Sequence, residues 1–310
     1  MKNFRTATLL GGAIAAMGLA IAAPAQAGTM AGGWNYTVDN YNDGSGGEKY
    51  NIRGFAIKET DEEIFIGLTG GIDLDGHDGN TIGWGDLVIN FSPETDFNDM
   101  IEDYGSYTNS QKVYDVKDEY KDSLLAIRFA PNDQGGEYGV YSVDSFKGIT
   151  MENSGYKTIQ HYDNKGYLKD SYAMGDLSTK AEVKDYFGTN QRILNVVEDG
   201  TKIADITQLG TLDLAAEGLD FTQVAGGTVG DYTLGFKVSK SAFEGYLPGG
   251  ISNYMAHIFL ECANDGVALA GNFTMPDEGN DDAVVPEPSA LLGLSAMGLA
   301  FFTRKRRQSA

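Results

Sequence analysis

The chain has 310 residues, a formal net charge of −21 and a single cysteine, Cys262. So acidic a protein repels nucleic acid and anionic lipid, which excludes nucleic-acid binding, and one cysteine rules out an intramolecular disulfide. The 41 Gly, 17 Tyr and 15 Phe occur mostly in short alternating runs between polar turns, a composition that favours an all-β fold.

The first 27 residues have the three parts of a secretory leader. Lys2 and Arg5 form a basic start, an apolar stretch follows, and Ala25 and Ala27 form a small-x-small cleavage site. We therefore predict export by the secretion machinery and cleavage after Ala27.

Alternation of apolar and polar residues predicts a series of antiparallel strands. Residues 50–58 and 63–69 are two such runs separated by four polar residues, which is a hairpin pattern. Further strands are predicted, in chain order, over residues 86–91, 124–130, 138–143 and 232–238. The spacing predicts an antiparallel β-sandwich or jelly-roll-like domain over residues 28–274.

A few short helices are predicted from capping-box spacing. Thr179 with Glu182 predicts a helix over 180–186, and Ser241 with Glu244 predicts one over 242–246. The region from 189 to 221 has mixed signals and gives no assignment. Whether 157–221 forms a subdomain is left open.

The C-terminal end has the form of a sorting tail. An acidic segment, 275–285, predicts a flexible linker. Prolines after this segment interrupt any helix, and an apolar stretch then covers 290–302. Basic residues follow at once. By the positive-inside rule, they keep the C-terminal end of the chain in the cytoplasm. The residues of this tail that matter most are Pro286, Glu287 and Pro288, then Arg304, Lys305, Arg306 and Arg307.

This order of triplet, apolar span and basic cluster resembles the PEP-CTERM tail of exosortase-processed proteins in Gram-negative bacteria. The resemblance implies a transient stay in the inner membrane through the apolar segment, removal of the tail by an exosortase, and delivery to the cell surface or extracellular matrix. A plain membrane anchor is the alternative.

Processing at both ends makes the exported product more acidic. Loss of the leader and of the tail beyond the triplet removes six basic and no acidic residues. The product keeps 17 basic and 44 acidic residues, which gives it a formal net charge of about −27.

The body of the chain resembles the XDD class of exosortase-dependent surface proteins. The resemblance rests on Trp34, the predicted hairpin, and the strings IGWGDLVINF, LLAIRFAPND, YGVYSVDSFKGITMENSGY and AHIFLECANDGV. Because that class has no established activity, the resemblance implies a location and leaves the function open.

One loop is a candidate calcium site. Asp73, Asp75, Asp78 and Asn80 could supply several of the oxygen ligands that Ca²⁺ needs, on a glycine-rich turn close to Asp86. The spacing is not that of an EF-hand. The alternative, which we favour, is an ordinary Asp- and Gly-rich turn.

The other candidate residues favour structural roles. The sequence Asn264-Asp265-Gly266 predicts a turn. His77 is predicted to be a solvated turn histidine, His257 a core or strand-face residue, and Cys262 a buried, inert thiol. The three histidines are too scattered for a local metal motif, and no common hydrolase or nucleotide-binding motif is present. With 44 acidic residues, the sequence cannot identify a catalytic carboxylate pair.

These observations predict an exported, non-catalytic surface or matrix protein with the exosortase as its main partner. The alternative is a carbohydrate-binding module for extracellular polysaccharide, in which Trp34, Trp84 and tyrosines stack on sugar rings. We favour core positions for these aromatic residues. A secreted hydrolase is a third interpretation.

Overall fold

The computed structural model describes residues 28–275 except 41–46, 78–81, 94, 103–106, 109–110, 132–135, 149–157, 171–172 and 248–249. Within these residues the chain forms mostly antiparallel β-sheet with short helices, which confirms the predicted all-β class. The predicted leader, the sorting tail and almost all of the linker lie outside the described residues. No helix in the described part combines the length and apolar character needed to cross a bilayer.

The described strands, in chain order, are β1 Thr29–Ala31, β2 Trp34–Val38, β3 Ile52–Glu59, β4 Glu63–Gly70, β5 Leu87–Asn90, β6 Ile101–Glu102, β7 Tyr107–Thr108, β8 Gln111–Val116, β9 Leu124–Arg128, β10 Gly139–Lys147, β11 Val196–Ala204, β12 Ile206–Leu209, β13 Tyr232–Ser239, β14 Gly250–Phe259 and β15 Gly266–Met275. The α-helices are α1 Ile159–Asn164, α2 Lys180–Phe187 and α3 Thr211–Ala216. Single 3-10 turns cover Glu48–Tyr50, Phe97–Met100, Asp118–Ser123, Phe221–Gln223 and Lys240–Phe243.

These strands form two sheets. The smaller sheet has the order β1-β2-β3-β4-β13-β12, and the larger has the order β15-β14-β5-β9-β10-β8-β6, with β11 also paired to β10 and β7 to β8. The predicted hairpin is confirmed as β3 and β4, which pair from Ile52↔Gly70 to Glu59↔Ile64. The other four predicted strands are confirmed as β5, β9, β10 and β13.

The largest hydrophobic core lies between the two sheets and follows from the period-2 alternation of the strands. Leu87 and Ile89 of β5 belong to this core, together with Ile64, Ile66 and other side chains of the smaller sheet. Val88, between the two β5 residues, faces the opposite side and belongs to a second core. The arrangement is that of a β-sandwich.

Both sheets are also covered on their outer faces, which is why central strands such as β5 are buried at every position. The outer face of the larger sheet packs against α1, α2 and the turn Phe97–Met100 in the second core. The outer face of the smaller sheet packs against α3 and the turn Phe221–Gln223 in a third core. The sandwich therefore has two further layers.

The region that gave no assignment from sequence joins the two sheets. Strand β11 pairs with β10 of the larger sheet, and β12 pairs with β13 of the smaller sheet. Only Asp205 separates them. The chain thus passes directly from one sheet to the other, and closes one side of the sandwich.

One predicted helix is confirmed and the other is wrong. Helix α2 has the predicted capping box, in which Thr179 and Glu182 exchange hydrogen bonds, and Gly188 ends it with a φ of 75°. In place of the predicted helix 242–246, a 3-10 turn covers Lys240–Phe243. Lys240 N donates to Glu62 O at 2.8 Å, so the turn starts earlier because it docks on the β3–β4 hairpin.

Candidate functional site

The predicted calcium loop follows β4 and forms a closed turn. Asp73 Oδ1 accepts from Leu74 N at 2.7 Å, and Asp73 O accepts from Gly76 N at 3.1 Å. Asp73 and Asp75 are exposed, while Asp78 and Asn80 lie outside the described residues. We call residues 72–77 the exposed acidic turn.

This turn makes a limited set of contacts with the rest of the fold. Trp84 Nε1 donates to Asp73 O at 3.1 Å, and His77 N donates to Ile82 O at 2.8 Å. The His77 ring is half-buried, lies edge-on to the Tyr50 ring and is 3.0 Å from Lys49 Nζ through Nε2. Among the residues the structure describes, no three His, Cys, Asp or Glu side chains gather to hold a metal ion. The calcium site stays a prediction.

The second acidic segment, residues 260–266, confirms the predicted turn between β14 and β15, but its acids are buried. Asp265 is 1% exposed and accepts hydrogen bonds from Ile52 N at 2.6 Å and Gly266 N at 2.9 Å. Glu261 is 2% exposed and accepts from Gly83 N at 2.8 Å. We call this segment the buried acidic turn.

The buried acidic turn is tied to several parts of the fold. Asn195 Nδ2 donates to the carbonyls of Leu260 and Glu261 at 3.0 and 2.8 Å, and Tyr162 Oη donates to Asn264 O at 2.9 Å. Ala263 has a φ of 48°, a left-handed conformation that few non-glycine residues adopt. Because so many tertiary bonds hold the turn, this strained conformation is tolerated.

Burial sets the chemistry of the groups in this turn. It raises the pKa of Asp265 to about 7, against the opposing effect of hydrogen bonds with the backbone of Ile52 and Gly266 and with the side chains of Asp39 and Tyr162. Burial likewise raises the pKa of the Cys262 thiol to about 12. Since the thiolate is the nucleophile, Cys262 is unreactive at neutral pH. The predicted buried cysteine is confirmed.

The two turns meet along residues 83–86. Glu261 N donates to Gly83 O at 3.0 Å, and Gly85 N donates to Phe259 O at 2.9 Å, so this segment runs beside the end of β14. Asp86, proposed above as a neighbour of the calcium loop, is instead buried against Arg128. Its two oxygens accept from Arg128 Nε at 3.1 Å and Nη2 at 2.9 Å, and one also accepts from Val197 N at 2.8 Å.

His257 is a core residue, as predicted. Its ring is 1% exposed and lies 4.8 Å from the Phe97 ring and 5.0 Å from the Phe187 ring, centroid to centroid. Burial lowers the pKa of His257 to about 3, so the ring is neutral in the folded protein.

Both tryptophans are fully buried, which confirms the core positions favoured above. Trp34 Nε1 donates to Glu217 O at 3.0 Å, and Trp84 lies in the largest hydrophobic core, between the two sheets. Neither can stack on a sugar ring. The exposed large aromatic side chains in the described part of the chain are Tyr138 at 38% and Tyr232 at 41%.

Sequence reasoning missed one polar site at the outer edge of β15. Asp176 accepts from Thr37 Oγ1 and from Ala270 N, each at 2.9 Å. Asn35 Nδ2 donates to Ala270 O at 2.8 Å. Residues 35, 176 and 270 are too far apart in the sequence for any local pattern to connect them.

One comparison with known proteins gives a match. Residues 284–307 match the family model described as the PEP-CTERM protein-sorting motif, which spans the triplet Pro286, Glu287 and Pro288 and the basic cluster. The chain is therefore a protein with a PEP-CTERM sorting motif, targeted to an exosortase and exported to the cell envelope or surface. The chain matches no curated protein and no solved structure. The resemblance to the XDD class stays a prediction.

Proposed function

We propose that the protein is a non-catalytic component of the cell surface or extracellular matrix, delivered by exosortase processing. The observation that carries the proposal is the sorting motif at 284–307. Its apolar stretch and basic cluster would hold the chain in the inner membrane with the β-sandwich outside. The exosortase would then cut near the Pro-Glu-Pro triplet and release the sandwich from the membrane segment.

The physical role of the exported product follows from its charge and its core. A net charge near −27 keeps copies apart in solution and favours divalent or cationic partners. The sandwich needs no disulfide, because three hydrophobic cores cover both faces of both sheets. Such a domain suits a structural or binding role in an oxidising, exposed compartment.

A non-catalytic role is supported by the state of the reactive side chains. Glu261 and Asp265 are buried and accept hydrogen bonds from backbone N–H groups, and Asp86 is paired with Arg128. The neutral His257 and the protonated Cys262 lack the pKa values that a general base or a nucleophile needs at neutral pH. These groups stabilise turns and cores.

Binding of extracellular polysaccharide is the alternative function, and it has less support. The two tryptophans that would have formed the best stacking platform are buried. The exposed tyrosines are the aromatic side chains that remain available to stack on a sugar ring. A secreted hydrolase, the third interpretation, would need two carboxylates facing each other across an open cleft.

The test is the fate of the tail in a host that contains an exosortase. Replacement of Pro286, Glu287 and Pro288 by alanine should stop processing, so that the chain stays in the inner-membrane fraction with its tail. The matched control is Asp281→Asn with Asp282→Asn, which changes the adjacent linker and leaves the motif intact. Fractionation and intact-mass analysis would measure both. Equal processing of the triplet variant and the control would contradict the proposal.

A further inference from the structure

Gly28, the residue after the predicted leader cleavage site, lies in a tight slot between the two sheets. Its nitrogen donates to Ala270 O of β15 at 3.4 Å. A Cβ atom at this position would lie 2.4 Å from Asn35 Oδ1, 2.6 Å from the Leu269 Cδ1 atom and 2.6 Å from Tyr36 O. Real Cβ atoms do not approach other atoms so closely, so only glycine fits here.

The slot contains a hydrogen-bond acceptor that is not used. Asn35 Nδ2 donates to Ala270 O, whereas Asn35 Oδ1 is buried and has no hydrogen-bond partner among the residues the structure describes. Leaving a buried acceptor unpaired is costly. Asn35 Oδ1 is also the atom closest to the space beside Gly28.

The slot also contains the carboxyl group of Asp176. Asp176 binds the N–H of the same Ala270 whose carbonyl accepts from Gly28, and its other oxygen accepts from Thr37 Oγ1. Burial raises the pKa of Asp176 to about 7, and only these two hydrogen bonds oppose the shift. A positive charge at this place would stabilise the carboxylate.

We propose that removal of the leader turns this slot into a binding site for the chain's own α-ammonium group. Hydrolysis of the Ala27–Gly28 peptide bond adds one water, leaves a carboxylate on Ala27, and frees the Gly28 nitrogen as an amine that takes up a proton at neutral pH. The ammonium donates to Ala270 O and Asn35 Oδ1 and supplies the positive charge beside Asp176. The inference rests on the proposed export, specifically on cleavage after Ala27.

The position of the slot gives this contact a structural consequence. Asn35 and Tyr36 belong to β2 of the smaller sheet, and Ala270 belongs to β15, the edge strand of the larger sheet. The other side of the sandwich is already closed by the passage from β11 to β12. Asn35 and Asp176 already bridge β2 and β15 on the second side, and after removal of the leader the ammonium group adds a charged contact to that bridge.

The test compares two mature amino termini on the full chain, exported through its own leader in a host without an exosortase so that every form keeps its tail. The native sequence yields Gly28 as the first residue. A variant with Gly-Ser inserted between Ala27 and Gly28 yields the same fold with Gly28 as an amide. Mass spectrometry of the intact chains checks both termini.

The Gly28 form should unfold several degrees above the Gly-Ser-extended form, and Asp176→Asn should remove most of that difference. The second readout is independent of stability. An amine-acylating reagent at neutral pH should label the Gly28 terminus several-fold more slowly than the extended terminus, because the bound ammonium is protonated and partly covered.

Equal unfolding temperatures together with equal labelling rates would overturn the inference. A mature terminus at a residue other than Gly28 would also overturn it, since the Gly28 nitrogen would then remain an amide. Neither result touches the proposed function, which depends on the fate of the C-terminal tail.

Discussion

The exposed and the buried acidic turns have similar compositions and touch the same short segment, residues 83–86, yet their carboxylates have opposite environments. Asp73 and Asp75 are exposed, and the Asp73 carboxylate accepts from the N–H of the next residue. Glu261 and Asp265 are buried and accept from N–H groups of distant segments. The difference shows that an acidic side chain in a turn takes a structural role where distant segments of the chain present backbone N–H donors to it.

The largest effect is expected where the two turns meet, at the buried ion pair of Asp86 and Arg128. Asp86→Ala leaves a buried guanidinium without its carboxylate and should lower the free energy of unfolding by about 3–5 kcal/mol. Asp73→Ala, a carboxylate removed from the exposed acidic turn, should lower it by less than about 0.5 kcal/mol. Urea unfolding measures both.

A double variant sharpens this result. Asp86→Leu with Arg128→Met removes both charges, so it should be less destabilised than Asp86→Ala. If Asp86→Ala and Asp73→Ala lower the free energy of unfolding by the same amount, the distinction between buried and exposed acids at this end of the sandwich is wrong.

An intermediate effect is expected from the pH dependence of Asp265. Its pKa is about 7 in the folded protein against an ordinary value of 3.8, so the folded state holds this proton more tightly than the unfolded chain does. The resulting stabilisation is fully present below about pH 4 and is lost as the pH rises through about 7. Asp265→Asn cannot lose a proton and lacks this pH-dependent contribution.

Between pH 5 and pH 8 the wild type should therefore lose on the order of 2 kcal/mol more stability than Asp265→Asn. Urea unfolding of both proteins at several pH values measures this difference. Acids that do not contact Asp265 contribute equally to both proteins, whereas Asp39, which shares a hydrogen bond with Asp265, contributes to the difference. Parallel curves for the two proteins would mean that Asp265 is ionised in the fold at neutral pH.

The sequence predicted what depends on near neighbours along the chain. The β3–β4 hairpin follows from alternation on either side of a four-residue polar turn, and helix α2 follows from Thr179 and Glu182, three residues apart. The sorting motif is equally local, which is why the family comparison finds it in residues 284–307.

What the sequence could not predict depends on distant contacts. Asp265 binds Ile52 across 213 residues, and Glu261 binds Gly83 across 178, so no window of sequence shows that these acids are buried. The wrongly placed helix at 242–246 has the same cause, because Lys240 N bonds to Glu62 O and moves the turn. The crossing from β11 to β12 was not predicted because β11 pairs with a strand of the larger sheet and β12 pairs with a strand of the smaller sheet.

The smallest effect on intrinsic stability, and the sharpest test of the exposed turn, comes from calcium. Asp73→Ala with Asp75→Ala should change the free energy of unfolding by less than about 0.5 kcal/mol in EDTA. If the turn binds Ca²⁺, millimolar Ca²⁺ should raise the unfolding temperature of the wild type by several degrees and leave the variant unchanged, since binding to the native state stabilises it by mass action.

Asp61→Ala with Glu62→Ala is the matched control, because it removes two exposed acids from the β3–β4 turn and changes the net charge equally. A calcium response kept by this control and lost by the Asp73 and Asp75 variant would make the exposed acidic turn a site. A response shared by all three proteins would reflect the field of about 27 excess negative charges, which any divalent cation screens. No response in the wild type would leave Asp73 and Asp75 as turn residues.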